Sequence, residues 1–149
     1  MPEAITTNKR QMVEIRTYTE GDFENVVALW VKCFSYPAPH NNPEKAIHRK
    51  VAINDGLFFI AVSREEVTGT IMAGWDGHRG WIYSLAVDPG HRMQGTGKKL
   101  VNHAIEELRK RDCPKVNLQV MPENTEVVGF YKKLGFAAEE RLSMGQKLY

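Results

Sequence analysis

Hydrophobic and polar positions follow two periods along this chain, and the switches between them mark out its elements. Val13-Glu14-Ile15-Arg16 alternates with period two, as a short strand does. Thr19-Glu20-Gly21-Asp22 supplies capping chemistry, after which Phe23, Val26, Val27, Leu29 and Trp30 fall on one helical face. The Pro- and Asn-rich stretch from Phe34 to Asn42 interrupts regular structure. Pro43 suits the first turn of a second helix, with Ile47, Val51 and Ala52 as a partial apolar stripe. Residues 57–62 form a fully apolar strand, Arg64-Glu65-Glu66 a polar turn, and 67–75 the return strand. Residues 76–80 turn again into a strand at 81–87. Leu100, Val101, Ala104, Ile105 and Leu108 then lie at i, i+1, i+4, i+5 and i+8, one face of a helix. Asp112-Cys113-Pro114 breaks that helix, and residues 116–120 alternate as another strand. Residues 126–134 read as a helix closed by Gly135 at a left-handed capping position, and 136–149 as a final strand or hairpin. The order β-α-α-β-β-β-α-β-α-β predicts an α/β (α+β) fold, a mixed sheet with helices on both faces.

Composition narrows the classes. Residues 1–12 read as a disordered arm, which leaves 13–149 as a single domain, long enough for a real core. A net charge of +2 is too small to argue for nucleic acid as a partner. No stretch approaches membrane-spanning length, and Met1 to Met12 lacks the apolar core of a signal peptide, so the expected compartment is the cytoplasm. Cys33 and Cys113 could pair, though nothing in the sequence requires it. The five histidines are scattered without a supporting Cys or carboxylate cluster, so no metal is expected.

The chemistry concentrates in Leu85-Ala86-Val87-Asp88-Pro89-Gly90-His91-Arg92-Met93-Gln94-Gly95-Thr96-Gly97-Lys98-Lys99, a strand end, a Gly-rich turn and a helix start. The first amides of a helix have no intrahelical partner and sit at the positive end of its dipole, which suits a phosphate or pyrophosphate. Gly95 and Gly97 carry no side chain to hold an anion away, and Arg92, Lys98 and Lys99 add positive charge. The P-loop pattern fails here, because Lys98 is followed by Lys99 and the spacing of glycines is wrong. The dinucleotide fingerprint fails too, since Leu100 stands where its third Gly belongs. What stands is Arg92-x-x-Gly95-x-Gly97 after Val87-Asp88-Pro89.

That loop, the element order, and Asn124 followed by Tyr131 in Phe130-Tyr131-Lys132-Lys133-Leu134-Gly135-Phe136 together resemble the GNAT N-acetyltransferases, over essentially residues 13–140. The stretches GWDGHRGWIYSLAVDP and PKVNLQV are similar to a bacterial subgroup of small single-domain members. The resemblance implies a mostly antiparallel sheet whose central strands, residues 81–87 and 115–120, splay apart around the pantetheine arm of acetyl-coenzyme A. It implies that Leu85, Ala86 and Val87 line that arm, with backbone groups of Leu85 and Val87 bonding it. It also implies that the amides of Gln94, Gly95, Thr96 and Gly97, flanked by Arg92 and Lys98, hold the pyrophosphate. Asn124 would contact the cofactor arm, and Tyr131 would protonate the departing thiolate, work a phenol can do within hydrogen-bond reach of sulfur. The acceptor would be an amine of a small molecule, peptide or protein, attacking the thioester directly. A homodimer through the final strand is compatible with this picture.

Other readings stand beside these. Tyr131 on a helix face also fits a half-buried packing residue, and Asn124 a helix N-cap. Trp75, Trp81, Phe58 and Phe59 read as core, with an aromatic at a strand end also able to line an acceptor pocket, and Cys113 as a buried small hydrophobe. Many GNATs carry a Glu or His six or four residues before the equivalent of Val87 as a general base, whereas this chain has Trp81 and Tyr83. Either a water chain reaches Asp76, His78 or another group, or the amine arrives neutral. The missing carboxylate also admits a catalytically weak acyl-coenzyme A binding or sensing module. Acceptor specificity would lie between Phe34 and Asn54, where no motif names it; Glu44 and Asp55 nearby could attract a cation or stand as solvated carboxylates.

Overall fold

The computed structural model describes residues 12–34 and 42–149. The expected N-terminal arm and the loop after the first helix lie outside the described residues, except for Met12, Phe34 and Asn42. Contacts divide the chain into two compact units, one ending at Leu118 and the other running Gln119–Tyr149.

The first unit is built on a five-stranded sheet in the order β1 (Glu14–Thr17), β2 (Phe58–Ser63), β3 (Glu66–Trp75), β4 (Gly80–Val87), β5 (Val116–Asn117). The pairs β1–β2, β2–β3 and β3–β4 are antiparallel, and β4–β5 is parallel. Helices α1 (Phe23–Cys33) and α2 (Pro43–Ile53) contribute Val26, Leu29, Trp30 and Ile47 to a core with Tyr18, Phe58, Ile60, Met72 and Ala86. Strand alternation sends Phe59 to the opposite face, where its ring meets His103 of α3 (Thr96–Lys110) edge-on at 4.6 Å. Leu100, Val101, Ala104 and Leu108 are buried along α3, four of the five positions that its period marked, with Ile105 half-buried. Helices therefore cover both faces, as the element order predicts.

Two glycines let α3 lie close to the sheet. A Cβ on Gly69 would stand 2.9 Å from Leu100 Cδ1 and 3.3 Å from Thr96 Cγ2, and one on Gly80 would stand 2.7 Å from Cys113 Sγ. Cys113 is half-buried and, like Cys33, a free thiol. At the other end of the sheet Asn42 caps α2 by accepting the amides of Glu44 and Lys45, with Pro43 in the first turn.

Several expectations need correction. Val51 and Ala52 are exposed, and the buried position on that turn of α2 is Lys50, a charge held by polar partners. Asp55 is one of those partners and so is more than a solvated carboxylate. Trp81 is not core but exposed, and Trp75 is only half-buried. The strand expected at 116–120 pairs only through Val116 and Asn117. In the second unit α4 (Thr125–Lys133) forms and Gly135 takes φ +95, the left-handed stop expected of it. Residues 136–149 form no strand; Leu142, Met144, Leu148 and Tyr149 stay exposed among charged neighbours, too little apolar burial to offset the ordering of a ladder.

The entry to α1 rests on an ion pair. Asp22, nearly buried, accepts Arg16 Nη1 and Nη2 at 2.9 and 2.8 Å and the Thr19 amide at 2.8 Å. The Arg16 hydrogen bonds, helped by Thr19 and opposed by burial, hold its carboxyl below the usual carboxylate range. A lowered folded-state pKa contributes stability above the ordinary value of about 3.9, and that stability is lost as pH falls through the folded value. Asp22→Asn should therefore destabilise the protein at pH 7 by about 1–3 kcal/mol, since bonds to a charged group are lost. In urea titrations from pH 7 to pH 3 the gap between wild type and variant should close towards the acid end. A gap that stays constant would show that the ion pair does not stabilise the fold.

Candidate active site

The site is built from the end of β4 and the start of α3. β4 pairs with β5 only at Gly80 and Trp81, so from Ile82 to Val87 that edge of the strand has no ladder partner among the described residues. The resemblance implies a splay at this edge, and the ladder there ends at Trp81 and Asn117. On its other edge β4 carries a bulge: Thr70 opposes Ala86 and Met72 opposes Tyr83, leaving Ser84 and Leu85 against Ile71. Ser84 takes φ +54, an unusual value for a residue with a side chain. Its carbonyl accepts Thr70 Oγ1 at 3.1 Å, and the same hydroxyl accepts Trp30 Nε1 at 2.8 Å.

The Asp88 amide bonds the Thr68 carbonyl of β3 at 2.8 Å, so by alternation Val87 turns its own N–H and C=O to the unpaired edge. The Val87 carbonyl already accepts Arg92 Nε at 3.3 Å and Cys33 Sγ at 3.5 Å, which leaves the N–H as its group for a ligand. Burial, the largest influence, pushes the Cys33 thiol up, so it is a packing contact rather than a nucleophile. Asp88 shapes the turn by accepting the Gly90 amide at 2.8 Å, which chiefly lowers its carboxyl below the usual range, and it pairs with Lys32 at 3.2 Å.

Gly95 stands at the N-cap of α3 with φ +79 and open space where a Cβ would project. The first backbone bond of the helix runs from the Lys99 amide to the Gly95 carbonyl, so the amides just before Lys99 have no helical partner. Thr96 is buried, and its Oγ1 makes no hydrogen bond among the described residues. Arg92, Gln94, Lys98 and Lys99 are exposed around this turn. Unpaired amides, an orphaned hydroxyl and surrounding cations fit a diphosphate group. The structure thus brings Leu85, Ala86, Val87, Arg92, Gln94, Gly95, Thr96, Gly97 and Lys98 onto one strand–turn–helix segment. The orphaned Thr96 hydroxyl could not be read from the sequence, where Thr96 differed little from its neighbours.

The other two predicted residues belong to the second unit. Asn124 caps α4, its side chain accepting the Val127 amide at 3.4 Å. Tyr131 is the buried residue of that helix, edge-on to Phe130 at 5.0 Å and Phe136 at 5.5 Å. Burial pushes its phenol up to about 12, so it stays protonated and competent to donate at neutral pH.

Asp76 and His78, considered as proton acceptors, sit in the β3–β4 hairpin turn. Asp76 accepts the Arg79 and His78 amides at 2.8 and 2.7 Å, and those bonds lower its carboxyl below the usual range. At about 3.3 Å per residue, the length of β4 puts this turn some 20 Å from Val87. Among the described residues no group of His, Cys, Asp and Glu could hold a metal ion, and no helix is long and apolar enough to cross a membrane.

The model of the acetyltransferase (GNAT) family matches residues 23–136, a span that takes in parts of both units. Among solved structures, a transcriptional regulator from Bacillus halodurans C-125 is 26% identical with a TM-score of 0.72, over 91% of this chain and 100% of that one. A Trypanosoma brucei acetyltransferase is 25% identical with a TM-score of 0.70, over 91% of this chain and 100% of its own. The PaiA N-acetyltransferase from Thermoplasma acidophilum, solved in complex with coenzyme A, shares the fold at 20% identity and a TM-score of 0.75, over 87% of this chain and 92% of its own. The open helix start after β4, the unpaired sheet edge and the family match agree: this chain belongs to the GNAT acetyltransferase family.

Proposed function

We propose that this protein transfers the acetyl group of acetyl-coenzyme A to a primary amine of a small molecule, peptide or protein, by direct attack in a ternary complex. The observation that carries the reading is the start of α3, where unpaired amides and the orphaned Thr96 hydroxyl adjoin the unpaired edge of β4. Coenzyme A complexes among the structural neighbours support the donor. Acetyl-coenzyme A brings an activated thioester; the rest is work for the chain's own groups. The amides of Gln94, Gly95, Thr96 and Gly97, with Arg92 and Lys98, hold the pyrophosphate. Leu85, Ala86 and Val87 line the pantetheine arm, and an N–H of this stretch polarises the reacting carbonyl. Asn124 touches the cofactor arm as well as capping α4. Tyr131 gives its proton to the departing thiolate. The proposal treats residues 13–149 as one working domain, supported by a family match that runs through both units.

With the Asp76 carboxylate holding a distant turn of which His78 is part, the amine gives its first proton to water and attacks in its neutral form, and its second proton, released as the amide forms, restores the Tyr131 phenol. The rising limb of kcat/KM against pH should then move with the pKa of whichever amine is supplied. A limb that stays at one pH across amines would mean an enzyme base.

Gly97→Glu should abolish acetyl-coenzyme A binding while leaving a folded protein, because the new carboxylate stands where the pyrophosphate must lie. Calorimetry with unchanged affinity would defeat the loop assignment. For the wild type, a hundredfold excess over Kd adds about 2.7 kcal/mol of apparent stability. Melting temperature should therefore rise with acetyl-coenzyme A and less with NAD or ATP; equal shifts would mark a generic anion site.

Tyr131→Phe keeps the ring that packs between Phe130 and Phe136 and removes only the acid. Thiol release against an amine panel should fall by roughly 10²–10⁴-fold, in kcat rather than KM, with cofactor affinity little changed. Wild-type kcat in the Phe variant would make Tyr131 a packing residue. No thiol release by the wild type with any amine, despite tight binding, would favour the sensing module.

A further inference from the structure

Lys50 is the one lysine buried among the described residues, only 7% exposed. A buried ammonium is tolerated only when its charge and its hydrogens are all satisfied. Here they are. Nζ pairs with Asp55 Oδ2 at 2.8 Å, donates to the Ala73 carbonyl, and donates to Tyr83 Oη at 3.3 Å. Asp55 is itself fixed, accepting the Leu57 amide at 3.0 Å through its other carboxylate oxygen, while its main-chain carbonyl accepts Arg111 Nη2 at 2.8 Å.

The donor inventory then decides what Tyr83 can do. An ammonium donates three hydrogens and accepts none. The Tyr83 oxygen must therefore be the acceptor in its bond to Lys50, and its own hydrogen goes elsewhere. Among the described residues nothing takes that hydrogen, and Tyr83 is 42% exposed. The adjoining cation polarises the phenol and strengthens it as a donor. The arrangement is sterically prepared as well: a Cβ on Gly74 would stand 3.2 Å from Tyr83 Oη, so the glycine leaves the phenol room to reach Lys50.

Position in the sheet says what the donor meets. Tyr83 opposes Met72, a core residue beneath α1 and α2, so its side chain stands on that face of the sheet. The unpaired edge of β4 directs its backbone groups within the plane of the sheet, whereas side chains stand perpendicular to it. The phenol thus serves a ligand lying over the α1–α2 face, not one threaded along the edge. Trp81, two residues earlier and 38% exposed, stands on the same face about 7 Å away along the strand and offers that ligand an apolar surface.

We infer that Tyr83, held and polarised by Lys50, selects the acceptor by donating a hydrogen bond to one of its oxygens, so that the acceptor class is primary amines bearing a hydroxyl or carbonyl oxygen close to the amine. This rests on the acetyl-transfer reading above. Lys50 is a positioning residue; Tyr83 touches the acceptor.

The test compares kcat/KM per neutral amine, each rate divided by the fraction of that amine unprotonated at the assay pH, for ethanolamine and glycinamide with that for propylamine, in wild type, Tyr83→Phe, Lys50→Met and Gly74→Ala. Wild type should prefer the oxygen-bearing amines by about tenfold, the discrimination that one hydrogen bond supplies. Tyr83→Phe should abolish that preference by lowering kcat/KM for ethanolamine and glycinamide alone, leaving propylamine within twofold. Lys50→Met and Gly74→Ala should shrink the ratio in the same direction. The ratio of two substrates on one preparation is insensitive to a loss of folded enzyme, so a fall in stability does not imitate the result. If wild type consumes acetyl-coenzyme A but Tyr83→Phe keeps the wild-type ratio, or loses all three substrates equally, this inference alone falls. If wild type neither gains stability from acetyl-coenzyme A nor releases thiol with any amine, the acetyl-transfer reading falls and this one with it.

Discussion

Two hydrogen bonds in series, a buried one from Trp30 Nε1 to Thr70 Oγ1 and a partly buried one from Thr70 Oγ1 to the Ser84 carbonyl, tie α1 through the middle of the sheet to the bulge of β4. Trp30 and Thr70 are almost fully buried, so water cannot replace either partner. The relay holds Ser84 at φ +54, a conformation that costs an L-residue roughly 1–2 kcal/mol. Its consequence is a change of phase. Tyr83 and Ala86 are three residues apart and would face opposite sides of a regular strand, yet both oppose residues of the α1–α2 face, Met72 and Thr70. The extra residue puts the Tyr83 phenol and the strand end before α3 into one register.

The turn itself is located by close packing. α3 approaches the sheet at Gly69, against Leu100 and Thr96, and again at Gly80, against Leu108. Cores are packed too densely for a helix to shift without loss of contacts, so two small residues set both ends of α3. Fixing Thr96 against Gly69 fixes the amides beside it, which lie next to the strand end they would serve. The same sheet that stabilises the unit therefore aims its helix dipole.

Buried charge is handled in two ways. At Asp22 the carboxylate has Arg16 and the Thr19 amide and hydroxyl, and the result is structural: a fixed entry to α1. At Lys50 the three hydrogens reach a carboxylate, a main-chain carbonyl and a phenol, and the third of these is half in solvent. One network ends on itself. The other ends on a group with a hydrogen to give, on the face of the sheet beneath α1 and α2.

Local chemistry was enough for much of this. Period and capping residues placed α3 and α4 and the antiparallel strands, because each signal lies within a few residues of its effect. The turn after Val87 was legible for the same reason: helix start, glycines and cations are contiguous, and orphan amides follow from any helix start. Gly135 as a left-handed stop was equally local. Tertiary structure decided the rest. That β5 pairs with β4 only through Val116 and Asn117 joins residues 36 positions apart, and the bulge of β4 is tied to a residue 54 positions earlier, Trp30. An apolar stripe of Ile47, Val51 and Ala52 was a fair reading of period, but Lys50 is buried because Asp55, Ala73 and Tyr83 converge on it from three segments. No propensity encodes that convergence. Hydrogen-bond partners drawn from separate strands and helices exist only once the sheet has formed.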